Sequence, residues 1–342
     1  MIKKSIVLHI MFLVLFATSL SDCAPTYDDI DLDAISLELE LKRYEQFLFS
    51  TANTEDLLAL EEEYPVFHNV YLYNIMPPSA QMAEMTEVEL AMELGRYISH
   101  PDMDSLYKLT QAKFGKLKNE RKELEKAAKR IYHYFPDEKI EKLITFVSSF
   151  EYGSIYIEES KSFAIGLDMY MGRDFEVYPL LDPSRFPAYR INKFEPYYMV
   201  PNAVKSFLYY KVPKPKANSF VDEAVYEGKI LYAMDKLLPA TADSLKISYA
   251  KGQLEWCRAN AENIWAFLIE KEILFSSDRN AYTSKFFNDG PFTTPFGNES
   301  APRAGAWLGW QIVKAYMERN PEIELAELMG NQDHQAIFQE SK

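Results

Sequence analysis

The sequence predicts an α+β fold, a mainly helical single domain with a small antiparallel sheet in its middle. The first part of the chain and the part beyond residue 220 carry apolar residues at helical spacing. Between them lie three short runs rich in β-branched and aromatic residues, at 143–147, 155–157 and 163–170. Because helices and strands are segregated along the chain, this order favours α+β over an alternating, doubly wound sheet.

The N-terminal part contains three segments with helical features. Thr86 and Glu89 have the spacing of a capping box and predict that a helix begins there. Residues 116–134 are highly charged, have few turn signals and predict another helix. Ahead of both, we expect a helix that includes Leu37, Leu39, Leu41, Tyr44, Phe47 and Leu48.

The middle and C-terminal parts contain a hairpin, two aromatic loops and further helices. The polar turn at 158–162 predicts a hairpin between the second and third strands. Residues 174–196 are rich in Pro, Tyr and Phe and predict an ordered loop. Beyond it we expect helices at 221–238, 244–273, 303–317 and 321–329, with a Phe-rich loop at 281–302.

The first 23 residues have the features of an export signal. Lys3 and Lys4 precede a mostly apolar run, residues 6–20, which is too short for a comfortable membrane span. The next residues, Leu20-Ser21-Asp22-Cys23, resemble a bacterial lipobox, although Asp22 stands where a small residue is usual. The resemblance implies that Cys23 is acylated and becomes the new N-terminus. The alternative is an ordinary cleaved signal peptide, with Cys23 an incidental thiol.

Composition limits the partners that this protein can have. We expect a signal peptide at 1–22, an acidic tether at 23–35 and one globular domain at 36–342. Removing residues 1–22 changes the formal net charge from −14 to −15. Such an acidic body is repelled by nucleic acids and by anionic lipids. We therefore expect no nucleic-acid partner, and a membrane attachment that depends on the lipid at Cys23.

Few residues are arranged as catalytic or metal-binding motifs. Beyond residue 22 the histidines are scattered, with no pair at the i,i+4 spacing of a zinc site. Cys257 lies on an apolar helical face and predicts a buried thiol. Glu223 and Glu227 lie one helical turn apart, a spacing that suits acid–base work or metal binding, and a solvated acidic stripe is the alternative. We expect no metal and no cofactor.

A second feature is the unusually apolar helix that begins at Arg303. Gly305 and Gly309 form a flat ridge that permits close helix approach. Trp307 and Trp310 are candidates to line a ligand groove, and ordinary core packing is the alternative.

Several segments together resemble the gliding-motility lipoprotein GldB family of Bacteroidetes. They are 163–174, 227–232, 235–239 and 301–313. The resemblance implies an exported, lipid-anchored protein that faces the periplasm and is required for gliding motility. It also implies protein partners in the gliding apparatus and in the associated type IX secretion machinery.

The family is similar to predicted zinc peptidases, so the resemblance implies a degenerate zincin-like fold. Glu227 would occupy the place of the catalytic Glu of a His-Glu-x-x-His helix, with Tyr226 and Ile230 in place of the two His ligands. A lone carboxylate cannot hold a catalytic zinc. We therefore expect a non-catalytic, peptidase-like scaffold in which Glu227 is vestigial.

Such a scaffold could still bind an extended chain. We predict that the strand at 163–170 offers an edge for β-addition, with Ile165, Gly166, Leu167 and Asp168 as binding residues. The alternative function is an active peptide or cell-wall hydrolase that uses Glu227 with Glu223 or another group.

Overall fold

The computed structural model describes residues 30–51, 53–76, 84–215 and 219–342. The chain divides into Met1–Asp31 and Leu32–Lys342, and the architecture below belongs to the second unit. The predicted signal peptide and Cys23 lie outside the described residues. In the part that is described, no helix is both long enough and apolar enough to cross a membrane.

A four-stranded mixed sheet lies at the centre. Its strands are β1 (Glu40–Arg43), β2 (Lys142–Phe146), β3 (Ser154–Ile157) and β4 (Ser162–Gly166), in the spatial order β1-β2-β4-β3. The predicted hairpin is confirmed, since β3 and β4 pair antiparallel with Tyr156 opposite Phe163. The prediction of an antiparallel sheet is wrong, because β2 pairs parallel with both β1 and β4. All residues of β4 are buried, as is typical of a central strand.

The first strand corrects the predicted N-terminal helix. Leu37, Leu39 and Leu41 recur at every second residue, and this is the period of a strand. Accordingly Glu40–Arg43 pairs with β2, and helix begins only at Tyr44.

The predicted third strand also ends earlier than expected. It stops at Gly166, and Leu167–Tyr170 form a 3-10 turn. A Cβ on Gly166 would lie 1.9 Å from the carbonyl oxygen of Tyr152, so only glycine fits there. The turn directs the buried Asp168 carboxylate at the loop after β2, where it accepts the backbone N–H groups of Ser148 (2.9 Å) and Phe150 (2.6 Å).

Helices cover both faces of the sheet. Before β2 they are α1 (Tyr44–Ser50), α2 (Thr54–Glu63), α3 (Pro65–Val70), α4 (Glu87–Ile98), α5 (Pro101–Phe114) and α6 (Lys118–Tyr134). After β4 they are α7 (Ala188–Ile191), α8 (Met199–Lys211), α9 (Phe220–Leu237), α10 (Asp243–Ile247), α11 (Gln253–Ala259), α12 (Ala261–Glu270), α13 (Arg279–Tyr282), α14 (Ala304–Arg319), α15 (Leu325–Gly330) and α16 (His334–Glu340). The mainly helical α+β fold class is thus confirmed.

Two helix predictions need correction. The helix expected at 244–273 is three helices, because Ser248 (φ 64°) and Gly252 (φ 88°) adopt left-handed conformations and a further break follows at Asn260. The helix expected at 321–329 begins only at Leu325. The capping box is confirmed, with Glu89 N–H donating to Thr86 Oγ1 at 3.3 Å.

Alternate residues along the strands belong to two different hydrophobic clusters, one on each face of the sheet. Ile144, Phe146 and Ala164 pack with α1 to α4 in the smaller cluster. Leu143 and Phe163 belong to the larger cluster, which contains α8, α9 and α14. This alternation follows from the period of two along a strand.

The larger cluster contains a close backbone contact between α9 and α14. A Cβ on Gly309 would lie 1.7 Å from the carbonyl oxygen of Ala224, and one on Gly228 would lie 2.2 Å from the carbonyl oxygen of Gly309. The predicted close approach at Gly309 is confirmed. It fixes the position of Glu227, the neighbour of Gly228, relative to the start of α14.

Candidate functional site

A cavity of about 560 Å³ lies among α8, α9, the hairpin and the loop before α14. Glu227 lies in its wall, contributed by α9 next to the glycine contact. The charged residues that line the cavity are Arg190, Lys193, Lys205, Glu227, Asp289 and Arg303.

Glu227 is not a free carboxylate. Its Oε2 lies 2.7 Å from Nη2 of Arg303, and the hydroxyl of Tyr209 donates to its two oxygens at 3.0 and 3.1 Å. The side chains of Glu227 and Arg303 are only 11% and 12% exposed. The solvated acidic stripe that the spacing allowed therefore does not describe Glu227.

The backbone before α14 directs Arg303 toward Glu227. Arg303 adopts a left-handed conformation (φ 53°) immediately before the helix. Its Nε also donates to the carbonyl oxygen of Phe287 at 3.3 Å, so the guanidinium is fixed on two sides.

Glu223, the second member of the predicted carboxylate pair, does not line the cavity. Burial, reinforced by the charge of Glu227, raises the pKa of Glu223 above its usual value. Its nearest cation is Arg279, with 3.9 Å between Oε2 and Nη2. The two glutamates therefore have separate surroundings and separate arginines.

Lys205, contributed by α8, also lines the cavity and has an unusual environment. Its Nζ donates to Ser248 Oγ at 3.2 Å, and among the described residues no carboxylate lies within ion-pair distance of it. Burial, reinforced by the nearby Arg303 guanidinium, lowers the pKa of Lys205 to about 7. Lys193 is also buried enough that its pKa is lowered, but its Nζ is paired with Asp289 Oδ1 at 2.5 Å.

The residues around Glu227 do not fit a zinc ion. Tyr226 and Ile230, which stand where the peptidase resemblance would place zinc ligands, are core side chains that are 4% and 0% exposed. Within the described ranges, no group of three or more His, Cys, Asp or Glu side chains is arranged to hold a metal.

The predicted β-addition on the strand at 163–170 is wrong. β4 is hydrogen-bonded to β2 on one side and to β3 on the other, so it presents no free edge. Ile165, Leu167 and Asp168 are fully buried, and Gly166 is buried as well. These four residues hold the sheet and the loop after β2 together.

The two tryptophans lie in the core rather than in the cavity wall. Trp307 and Trp310 are 4% and 1% exposed, and neither lines the cavity. The Nε1 of Trp310 donates to Asp235 Oδ2 at 2.8 Å, and Lys314 Nζ lies 3.9 Å from the ring centroid. This arrangement matches the core-packing alternative.

Cys257 is buried as predicted, and burial raises the pKa of its thiol to about 11.

Sequence reasoning missed the residues of α8. Asn202, Lys205, Ser206 and Tyr209 all line the cavity and recur at i, i+3, i+4 and i+7. A polar stripe on a helix whose other face holds Val204, Phe207 and Leu208 was the available signal. Asp289 and Arg303, which line the same cavity and pair with Lys193 and Glu227, come from distant parts of the chain, and no local pattern identifies them.

One comparison with known proteins identifies a family for this chain. The family model described as "Gliding motility protein GldB" matches residues 26–342. No curated protein and no solved structure matches the chain significantly.

Proposed function

This chain belongs to the gliding motility protein GldB family, and from that premise we propose that it is an exported lipoprotein required for bacterial gliding. A lipid on Cys23 holds it to a membrane, and its folded body faces the periplasm. Through protein partners it supports the gliding apparatus and the associated type IX secretion machinery. The family match, which extends over the whole described body, is the observation that carries the gliding role.

We further propose that the body acts as a scaffold and not as a hydrolase. The pairing of Glu227 with Arg303 and Tyr209 supports this proposal. A general base needs a carboxylate that can reach and accept a proton from water. Here three donor contacts, from Arg303 and Tyr209, already occupy the two oxygens. Glu227 then serves to fix Arg303 against α9.

An active hydrolase is the second candidate. It is favoured by the presence of Glu227 and of the low-pKa Lys205 in the same cavity. A lysine of this kind is able to act as a base near neutral pH. Incubation of the purified protein with a random peptide pool and with cell-wall fragments tests this candidate. Cleavage that disappears in Glu227→Gln would establish it.

The lipoprotein proposal is tested by metabolic labelling with an alkyne fatty acid, scored together with colony spreading. Cys23→Ser should lose both the label and the spreading. Cys257→Ser is the matched control, because it removes the other cysteine of the chain and leaves the lipidation site. A wild-type protein that takes no label would exclude the lipid anchor. An unlabelled Cys23→Ser protein that spreads normally would show that a soluble form suffices.

A further inference from the structure

The charges that line the cavity do not balance. Arg303 is paired with Glu227, and Lys193 is paired with Asp289. Lys205 is half-buried near both pairs, and among the described residues Ser248 is the one hydrogen-bond partner of its ammonium group. The remaining cation, Arg190, is exposed and so contributes at the rim. The interior of the cavity therefore lacks one negative charge.

An unpaired buried ammonium is costly unless an anion joins it. The same surroundings limit the charge of that anion. Glu227 and Asp289 also line the cavity, and a second negative charge on the ligand would be repelled by both. A singly charged carboxylate satisfies Lys205, whereas a phosphate dianion would bring excess charge.

The cavity is much larger than a carboxylate group. Its volume of about 560 Å³ is in the range of about 300–1,000 Å³ that is typical of ligand sites. Ser154, Asn202 and Tyr170 line the same cavity with neutral polar groups, which are joined through hydrogen bonds to the Tyr170 hydroxyl. Phe194 and Phe287 provide apolar surface. Neutral polar groups mixed with aromatic rings suit amide bonds and side chains.

We propose that this cavity binds the carboxyl end of a peptide, with the Lys205 ammonium taking the terminal carboxylate. The amides and side chains before the terminus lie along the Asn202 and Tyr170 wall. Binding takes up a proton when Lys205 is neutral, because the carboxylate pairs only with the ammonium form. The inference rests on the proposed scaffold role in one respect, that the bound peptide is held and not cleaved.

The test measures how fast Lys205 is acetylated, by mass spectrometry, in the full mature protein extracted in detergent. The probe is a pool of random N-acetyl tripeptides with free carboxyl ends, and the matched pool has amidated ends. At about ten times the dissociation constant, the free-carboxyl pool should slow Lys205 acetylation about tenfold. Lys118, which is exposed on α6, is the internal control and should be unaffected.

Three results would overturn the proposal. They are equal protection by the amidated pool, no protection by either pool, and protection by inorganic phosphate at lower concentration than by the free-carboxyl pool.

A fluorescent version of the pool gives a second measurement. Lys205→Met should abolish its binding, and Lys118→Met should not. If Lys205→Met does not fold, the acetylation of the wild-type protein still decides.

The same incubations separate this inference from the scaffold proposal. If Lys205 is protected and the peptides remain intact, the binding site and the scaffold role are both supported. Protection accompanied by cleavage would keep the binding site and overturn the non-catalytic role. Intact peptides without selective protection would overturn the binding site and leave the non-catalytic role in place.

Discussion

The Nη2 atom of Arg303 lies 2.7 Å from the Oε2 atom of Glu227, across the contact between α9 and α14. The backbone contact at Gly309 sets the separation of the two helices, and the left-handed backbone at Arg303 directs the guanidinium inward. The ion pair therefore depends on the packing of these helices. It also balances the charge of the Glu227 carboxylate.

The close approach of α9 and α14 predicts that Gly309→Ala is strongly destabilising. The added methyl group would lie 1.7 Å from the carbonyl oxygen of Ala224, and backbone cannot move aside cheaply. We expect a loss of about 3 kcal/mol or more in the free energy of unfolding, measured with urea. Gly330→Ala is the control, because a Cβ there meets open space. Equal stabilities of the two variants would contradict the packing described here.

Breaking the ion pair should cost more than breaking an exposed one. Arg303→Met leaves the Glu227 carboxylate uncompensated at 11% exposure, and we expect a loss of about 3 kcal/mol in unfolding free energy. Lys108→Met is the control, since the Lys108 side chain is 70% exposed and its pair with Asp104 is worth about 0.5 kcal/mol or less. Similar urea midpoints for both variants would show that the buried pair contributes little.

The Asp168 carboxyl predicts a specific dependence of stability on pH. Burial raises its pKa to about 6, above the value of about 3.9 of an unfolded chain. Between these values the folded protein binds more protons than the unfolded one, so this group's contribution to stability falls as pH rises from about 4 to about 6. The total fall is about 3 kcal/mol.

Asp168→Asn removes this titration. The difference in unfolding free energy between wild type and variant should therefore change between pH 4 and pH 7, in favour of the variant at higher pH. The variant should also be destabilised at every pH. The carboxylate accepts the N–H groups of Ser148 and Phe150 with its two oxygens, whereas the amide of asparagine has only one oxygen. A difference that stays constant with pH would contradict the raised pKa.

Lys205 should react as a neutral amine near physiological pH. With a pKa of about 7, about half of its side chains are uncharged at pH 7, against about one in 2,000 for an ordinary lysine. Acetylation rates followed from pH 6 to pH 10 by mass spectrometry should show a midpoint near 7 for Lys205. The exposed Lys118 is the comparison within the same protein. A midpoint near 10 for Lys205 would contradict the burial of its amine.

The fold class could be predicted from the sequence because the strongest signals in the sequence are local. Helical periodicity, the Thr86–Glu89 capping box and the hairpin turn depend on neighbouring residues, and the structure contains all three. The parallel pairing of β2 with β4 could not be predicted in this way. It depends on where the hairpin docks, and no pattern within either strand encodes that choice.

The site was predictable only in part. Glu227 was identified from its place on a helix, but its partner Arg303 is 76 residues away and its partner Tyr209 belongs to another helix. Lys205 was missed because a lone lysine on an amphipathic helix is usually a solvated surface residue. The β-addition at 163–170 was predicted wrongly, although a continuous apolar run indicates a strand that is buried on both faces, as is typical of the interior of a sheet.

Colony spreading of the double variant Glu227→Gln with Arg303→Gln is the most direct test of the scaffold account. The two changes remove both charges of the ion pair together, so neither partner is left uncompensated. We predict spreading indistinguishable from wild type when the variant is present in the membrane fraction at wild-type abundance. Loss of spreading at unchanged abundance would contradict the account, because it would show that gliding needs the charged side chains of Glu227 and Arg303 and not only the folded body.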